Sequence, residues 1–350
     1  MNLKQRQLVC AFTFAGSCLL VSSVEEAACE EKIKSAAQDK RVGLSASLKS
    51  KAYAKIDAVL LLKNGETLFE EYFNGYDEER LHDFASVTKS ITSLLVGAAI
   101  HRGEITDVDA PILPFYAKTK YSDQWKGEKR TLTFRHLLTM QHGLACDDYN
   151  DPGMRRFNSW LEEEDPIQAA LDIPSDRNPG EVSIYCTAST QLLRLPLEKA
   201  TGKTIEEFAD NVLFGPLGIS KVAWQKNQQG NAATGYGIEM RPRDVAKIGK
   251  MIENRGVWEG KRIVSENWLE QSFQRHGSLL GIDYGYLWYG ERYEFESRSI
   301  QSHLAMGHGG QFLILFPGLD AIVVIAASDY DFEIDFYSLV RTKILPVLTS

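Results

Sequence analysis

Several common signatures of enzyme chemistry are missing from this sequence. Its seven histidines form no H-E-x-x-H pair, and there is no G-x-S-x-G elbow, Walker loop or G-x-G-x-x-G turn. Metalloprotease, α/β-hydrolase and nucleotide-binding readings therefore lose their anchors. Asp147, Asp148 and Asp151 lie close together but lack the glycine and terminal glutamate of an EF-hand, so they read as a solvated loop of capping groups. Neither a metal nor a cofactor is expected. Basic excess is missing too: 39 Lys and Arg stand against 47 Asp and Glu, a net charge of -8, which leaves little to neutralise a phosphate backbone. Nucleic acid is not an expected partner.

Long apolar runs are limited to one, Leu8 to Val21, preceded by Lys4 and Arg6. It is short of the roughly 20 residues that span a bilayer and reads as a signal peptide, residues 1–23, cut near Ser23 or closer to Ala28. A plain hydrophobic N-terminal helix is the other reading. Ala15 stands where a lipobox before Cys18 has leucine, so no lipid anchor is expected. The expectation is an exported chain, periplasmic or extracellular, with no stable membrane span. Cysteine is sparse, five in all. Beyond the signal, Cys146 and Cys186 either close a loop of about 40 residues, worth roughly 3–4 kcal/mol, or stay free and buried together with Cys29.

What is present suits a globular protein: 44% hydrophobic and 25% charged residues over 350 positions allow one large domain or two interleaved ones. Residues 24–55, rich in Ala, Lys and Glu, have helical spacing. Ala58 to Leu62 and Thr67 to Phe73 are strand-like around Asn64-Gly65, a strong hairpin signal. Ser86 to His101 is helical and apolar on nearly every side after its first turn, so it should be buried. Short helices and loops follow to about residue 220, then a helix after Pro242, strands over 283–290, 311–316 and 320–327, and a closing helix over 333–347. Strands at both ends with helices between them predict an α+β fold whose antiparallel sheet (56–85 and 240–345) carries an inserted, mainly helical subdomain (86–239).

Ser86-Val87-Thr88-Lys89 is the sharpest chemical feature, because residues three apart share a helix face and an amine on so apolar a helix is partly buried. Burial lowers its pKa and makes Lys89 a plausible base for Ser86. Tyr185-Cys186-Thr187 and His308-Gly309-Gly310 follow at long spacings. Taken singly, Tyr185 reads as a half-buried aromatic, His308 as a turn cap, and Trp288 and Tyr289 as core or sheet surface.

In this order the three groups resemble the S-x-x-K, Y-x-N and K-T-G motifs of serine β-lactamases and penicillin-binding proteins. Thr133 to Met140 with Gly143-Leu144, and Thr201-Gly202, also look similar, so the resemblance spans roughly residues 55–345. It is greatest with the class C, esterase and nylon-oligomer (6-aminohexanoate dimer) hydrolase branch, where H-x-G commonly replaces K-T-G. The resemblance implies a β-lactamase/transpeptidase-like fold, a sheet flanked by N- and C-terminal helices. It implies Ser86 as acylated nucleophile, Lys89 as its proton acceptor and Tyr185 as proton relay. It further implies an oxyanion hole from the backbone N–H groups of Ser86 and Gln311, with His308, Gly309, Gly310 and Thr187 beside the substrate. Thr187 in place of Asn, and a mostly neutral His308 in place of Lys, argue against efficient β-lactam hydrolysis. The expected activity is hydrolysis of a small ester, amide or peptide. A D-alanyl carboxypeptidase, a weak β-lactamase and a non-catalytic binding scaffold are the alternatives.

Overall fold

The computed structural model describes residues 23–150 and 164–350, with side chains from residue 35 onward. The predicted signal peptide, save Ser23, and Asp151 lie outside the described residues. Among these residues no helix is long and apolar enough to cross a membrane.

The chain divides into two compact units, one holding residues up to Ala54 together with Asp335–Ser350, the other Lys55–Ile334. In the first, helix α1 (Ser23–Leu48) is met by the C-terminal helical stretch from Phe336 to Leu348. Leu44 and Leu48, four apart on one face of α1, are both buried.

The second unit is built on an eight-stranded antiparallel sheet, in keeping with the α+β class expected from the sequence. Strands β1 (Ile56–Lys63) and β2 (Glu66–Tyr72) are joined by Asn64 and Gly65, whose φ values of 51° and 79° are those a type I′ hairpin turn requires. After short β3 (His82–Asp83) comes α2 (Val87–His101), buried from Val87 through Ala99 as its apolar sequence demands. β5 (Ile238–Met240) pairs with β3 on one side and with β4 (Val222–Trp224) on the other in a small separate sheet. Helix α3 (Pro242–Glu253) follows and packs on β1 and the last two strands; a Cβ at Gly249 would stand only 2.9 Å from Ile322. The other strands of the large sheet are β6 (Gly277–Leu279), β7 (Ile282–Tyr284), β8 (Tyr289–Phe295), β9 (Arg298–Gly307), β10 (Gln311–Phe316) and β11 (Ala321–Ala327), and the sheet order is β2-β1-β11-β10-β9-β8-β7-β6. β11, every residue buried, thus closes the sheet by pairing with the first strand. β9 is the longest strand, and the sequence pattern did not announce it.

Where β9 runs beyond β8 is what positions the chemistry. β8 begins at Tyr289, opposite Leu304, so the last three residues of β9 have no strand on that side among the described residues. The turn of chain leading into α2 closes on the last of them: a Cβ at Gly307 would lie 2.4 Å from the Phe84 carbonyl oxygen and 3.2 Å from Ala85 Cβ. Only glycine allows so close an approach.

Candidate active site

Ser86 stands at the N-terminal end of α2, behind a turn held by the Asp83 carboxylate, which accepts the Ala85 N–H at 2.7 Å. Ala85 adopts a left-handed backbone, φ 45°, an uncommon and costly conformation for a residue with a Cβ. One helical turn into the buried helix lies Lys89, only 2% exposed. Its Nζ is 3.0 Å from Ser86 Oγ, 3.1 Å from Thr187 Oγ1 and 2.7 Å from the Gly235 carbonyl oxygen. Three neighbours match the three hydrogens of an ammonium or the two hydrogens and lone pair of an amine. Burial brings the Lys89 pKa down to about 7, with the negative charge of Asp148 working in the opposite direction. The neutral amine is therefore far more accessible near neutral pH than it is for a solvated lysine.

Tyr185 reaches the same hydroxyl from the other side, its phenol hydrogen-bonded with Ser86, and Lys89 Nζ stands 4.9 Å from the centre of its ring. Tyr149 stacks on Tyr185 at 4.8 Å and shares a 3.1 Å hydroxyl contact with Tyr289. Burial first, then the neighbouring tyrosines, push the Tyr185 phenol well above its ordinary pKa. The phenol thus keeps its proton in the resting site, while the Lys89 amine gives its own up more readily than a solvated lysine.

Cys146 and Cys186 are bridged, with an S–S distance of 2.08 Å across a sequence separation of 40. The bridge ties the loop before Tyr149 to the residue between Tyr185 and Thr187. In that loop Asp148 departs from the solvated group expected: its carboxylate accepts the Thr187 N–H at 2.7 Å and its own N–H donates to the Tyr185 carbonyl at 2.8 Å. Burial raises the Asp148 pKa, partly offset by its bonds to the Thr187 hydroxyl and amide. Asp147 does cap its own turn, accepting from the Tyr149 and Asn150 N–H groups. The Cys146, Cys186 and Asp148 ligand atoms all lie within 4.8 Å of one another, but sulfurs joined in a disulfide offer no thiolate to a metal. Trp288 and Tyr289 are buried, as core residues.

His308 follows Gly307 at the end of β9 and meets the rings of Tyr330 and Phe332 at 5.3 and 5.4 Å. Burial lowers its pKa, the Asp83 charge opposing, so it is neutral at pH 7. Gly309 and Gly310 have φ values of 85° and 89° and carry the chain round to β10. The Gly309 carbonyl accepts the Asp329 N–H at 3.0 Å.

Gln311 requires a correction. It pairs with Gly307 across the β9–β10 hairpin, and its side-chain amide exchanges bonds with the Ala327 backbone on β11. Since Ala327 faces β10, ladder alternation turns the backbone of Phe312 to β11 and that of Gln311 to β9, where the N–H is spent on Gly307. The same alternation, counted from the two-residue turn between Phe295 and Arg298, aims the N–H of Met306 out of the uncovered edge beside the Ser86 turn. Gly235 was also not foreseen: a side chain there would meet Thr190 Oγ1 at 2.3 Å, so its lack of Cβ brings the carbonyl within reach of Lys89.

Comparison with known proteins places the chain in a family. A family model described as Beta-lactamase matches residues 47–336. The 6-aminohexanoate-dimer hydrolase of Paenarthrobacter ureafaciens is 29% identical over 227 residues, which are 61% of this chain and 56% of that protein. The match thus spans little more than half of the relative. Among solved structures, the octameric penicillin-binding protein homologue from Pyrococcus abyssi has a TM-score of 0.67 at 19% identity, covering 90% of this chain and 77% of its own. The penicillin binding protein from Bacillus halodurans has a TM-score of 0.65 at 16% identity, covering 87% and 98%. These two are likenesses of fold. With the family model covering most of its length, the chain belongs to the β-lactamase family, the hydrolase superfamily of serine β-lactamases and penicillin-binding proteins.

Proposed function

We propose that this protein is a serine hydrolase that cleaves a small ester or amide through an acyl-enzyme on Ser86. One observation carries the reading: a buried amine with a pKa of about 7 lies 3.0 Å from a helix-terminal hydroxyl that also meets a protonated phenol. Neutral Lys89 takes the proton as Ser86 Oγ bonds to the substrate carbonyl carbon. The carbonyl oxygen gains the negative charge, which the N–H groups of Ser86 and Met306 receive. Tyr185 passes a proton to the departing alkoxide or amine as the C–O or C–N bond breaks, and recovers one from Lys89. Water then repeats the sequence on the acyl-enzyme, returning Ser86 and releasing the acid.

An ester or a simple amide fits better than a β-lactam, because neutral His308 offers no cation to the ring carboxylate. The reading is tested by treating the protein with a fluorophosphonate probe and sequencing the labelled peptide, alongside turnover of p-nitrophenyl esters and nitrocefin. An adduct on Ser86 with ester turnover exceeding nitrocefin turnover is expected. A folded protein with Ser86 unlabelled and no ester turnover would overturn it.

A further inference from the structure

Thr187 and Asp148 have no part in the proton transfers just described, yet both are built into the site. Thr187 is 1% exposed, and its hydroxyl receives the Lys89 amine at 3.1 Å while its amide donates to Asp148 at 2.7 Å. Asp148 is in turn anchored by the Tyr185 carbonyl and by the adjacent Cys146–Cys186 bridge. A hydroxyl has one proton to give. The ionised Asp148 carboxylate, which can only accept, holds the Thr187 N–H at 2.7 Å and bonds the hydroxyl as well, so that proton goes to Asp148 and Thr187 Oγ1 presents lone pairs to Lys89. The Gly235 carbonyl is an acceptor by nature. Between them these two oxygens claim both hydrogens of a neutral amine.

The remaining position on nitrogen is its lone pair, and the remaining neighbour is Ser86 Oγ. The geometry points to Asp148 as a positioning residue that acts through Thr187, fixing the direction of the Thr187 hydroxyl so that the lone pair of Lys89 is aimed at Ser86. The inference rests on Lys89 being the base for Ser86. It explains how a threonine serves at a position where the resembling motif carries asparagine, whose amide oxygen is an acceptor without outside help.

The groups facing the Lys89 amine are Ser86 from its own helix, Tyr185 and Thr187 from the segment after the disulfide, the Gly235 carbonyl, and Asp148 as the nearby charge. The test is the pH profile of kcat/KM for a p-nitrophenyl ester in wild type and in T187V, T187S and D148N. T187V removes the acceptor and is expected to lose about 100-fold, the scale of a general base that no longer meets its proton. T187S, which keeps the hydroxyl, should recover most of that. In D148N the carboxamide can donate to Thr187 and reverse its hydroxyl, so the rate falls. With the negative charge gone, the acid limb moves to lower pH. A role confined to holding the fold would lower the rate at every pH, leave the limb in place and treat T187S like T187V; that pattern overturns the inference. Full turnover in S86A or K89M controls would instead overturn the reading on which it rests.

Discussion

Replacing Lys89 by methionine is expected to lower kcat/KM for an ester by about 1,000-fold or more, the upper part of the range that a positioned general base supplies. Methionine fills the buried volume with similar length but carries no lone pair for the Ser86 proton. K89R is the sharper companion: it keeps a cation and hydrogen-bond donors near Ser86, Thr187 and Gly235, but arginine does not deprotonate. It should be as inactive as K89M. Wild-type kcat/KM should rise with pH through about 7, as the amine becomes neutral, and that limb should vanish in both variants. Active K89R would remove Lys89 from the role of base.

The same depressed pKa has a consequence for stability. Lys89 is neutral in the folded protein above about pH 7 but protonated in the unfolded chain up to its ordinary value of 10.5. Unfolding between these limits takes up a proton, so wild-type stability rises with pH there, by at most about 1.4 kcal/mol per unit, and the penalty of burying the amine is greatest below pH 7. Urea unfolding at pH 7 and pH 9 should show this slope reduced in K89M. An unchanged slope would mean that the amine is not neutral in the folded state.

The second large effect concerns a backbone atom. M306P removes the N–H that faces the uncovered edge of β9 and should cost about 100-fold or more in kcat/KM, the usual result of deleting one oxyanion donor. No ladder hydrogen bond is lost with it, because that N–H points away from β10. M306A keeps the donor and should remain near wild type, which separates the backbone from the side chain. Ester kinetics together with thermal melts decide the matter; a folded M306P enzyme with undiminished turnover would rule the donor out.

How much of this was legible in the sequence depended on distance along the chain. Ser86 and Lys89 could be read because three residues on a helix is a fixed geometry, and the apolar run after them guaranteed a buried amine. The Asn64-Gly65 hairpin was equally plain. Tyr185, His308 and the fold rested on the order of motifs, and the family match supports the fold. Strand β9 escaped because its inward positions include Ser302 beside Ile300 and Leu304, which blurs the apolar alternation. Gln311 was placed one strand too far because a motif locates a turn but says nothing of which strand edge is left open. Asp148 looked like loop solvent because its partner Thr187 is 39 residues away. Gly235 contributes a carbonyl, which no residue type advertises.

The disulfide joins the two roots of a single long excursion of the chain, and both roots belong to the chemistry: Asp148 stands two residues beyond one cysteine, and Tyr185 and Thr187 flank the other. The bridge thus holds Asp148 against the Tyr185–Thr187 segment directly, instead of leaving that spacing to the long stretch of chain that separates them in sequence.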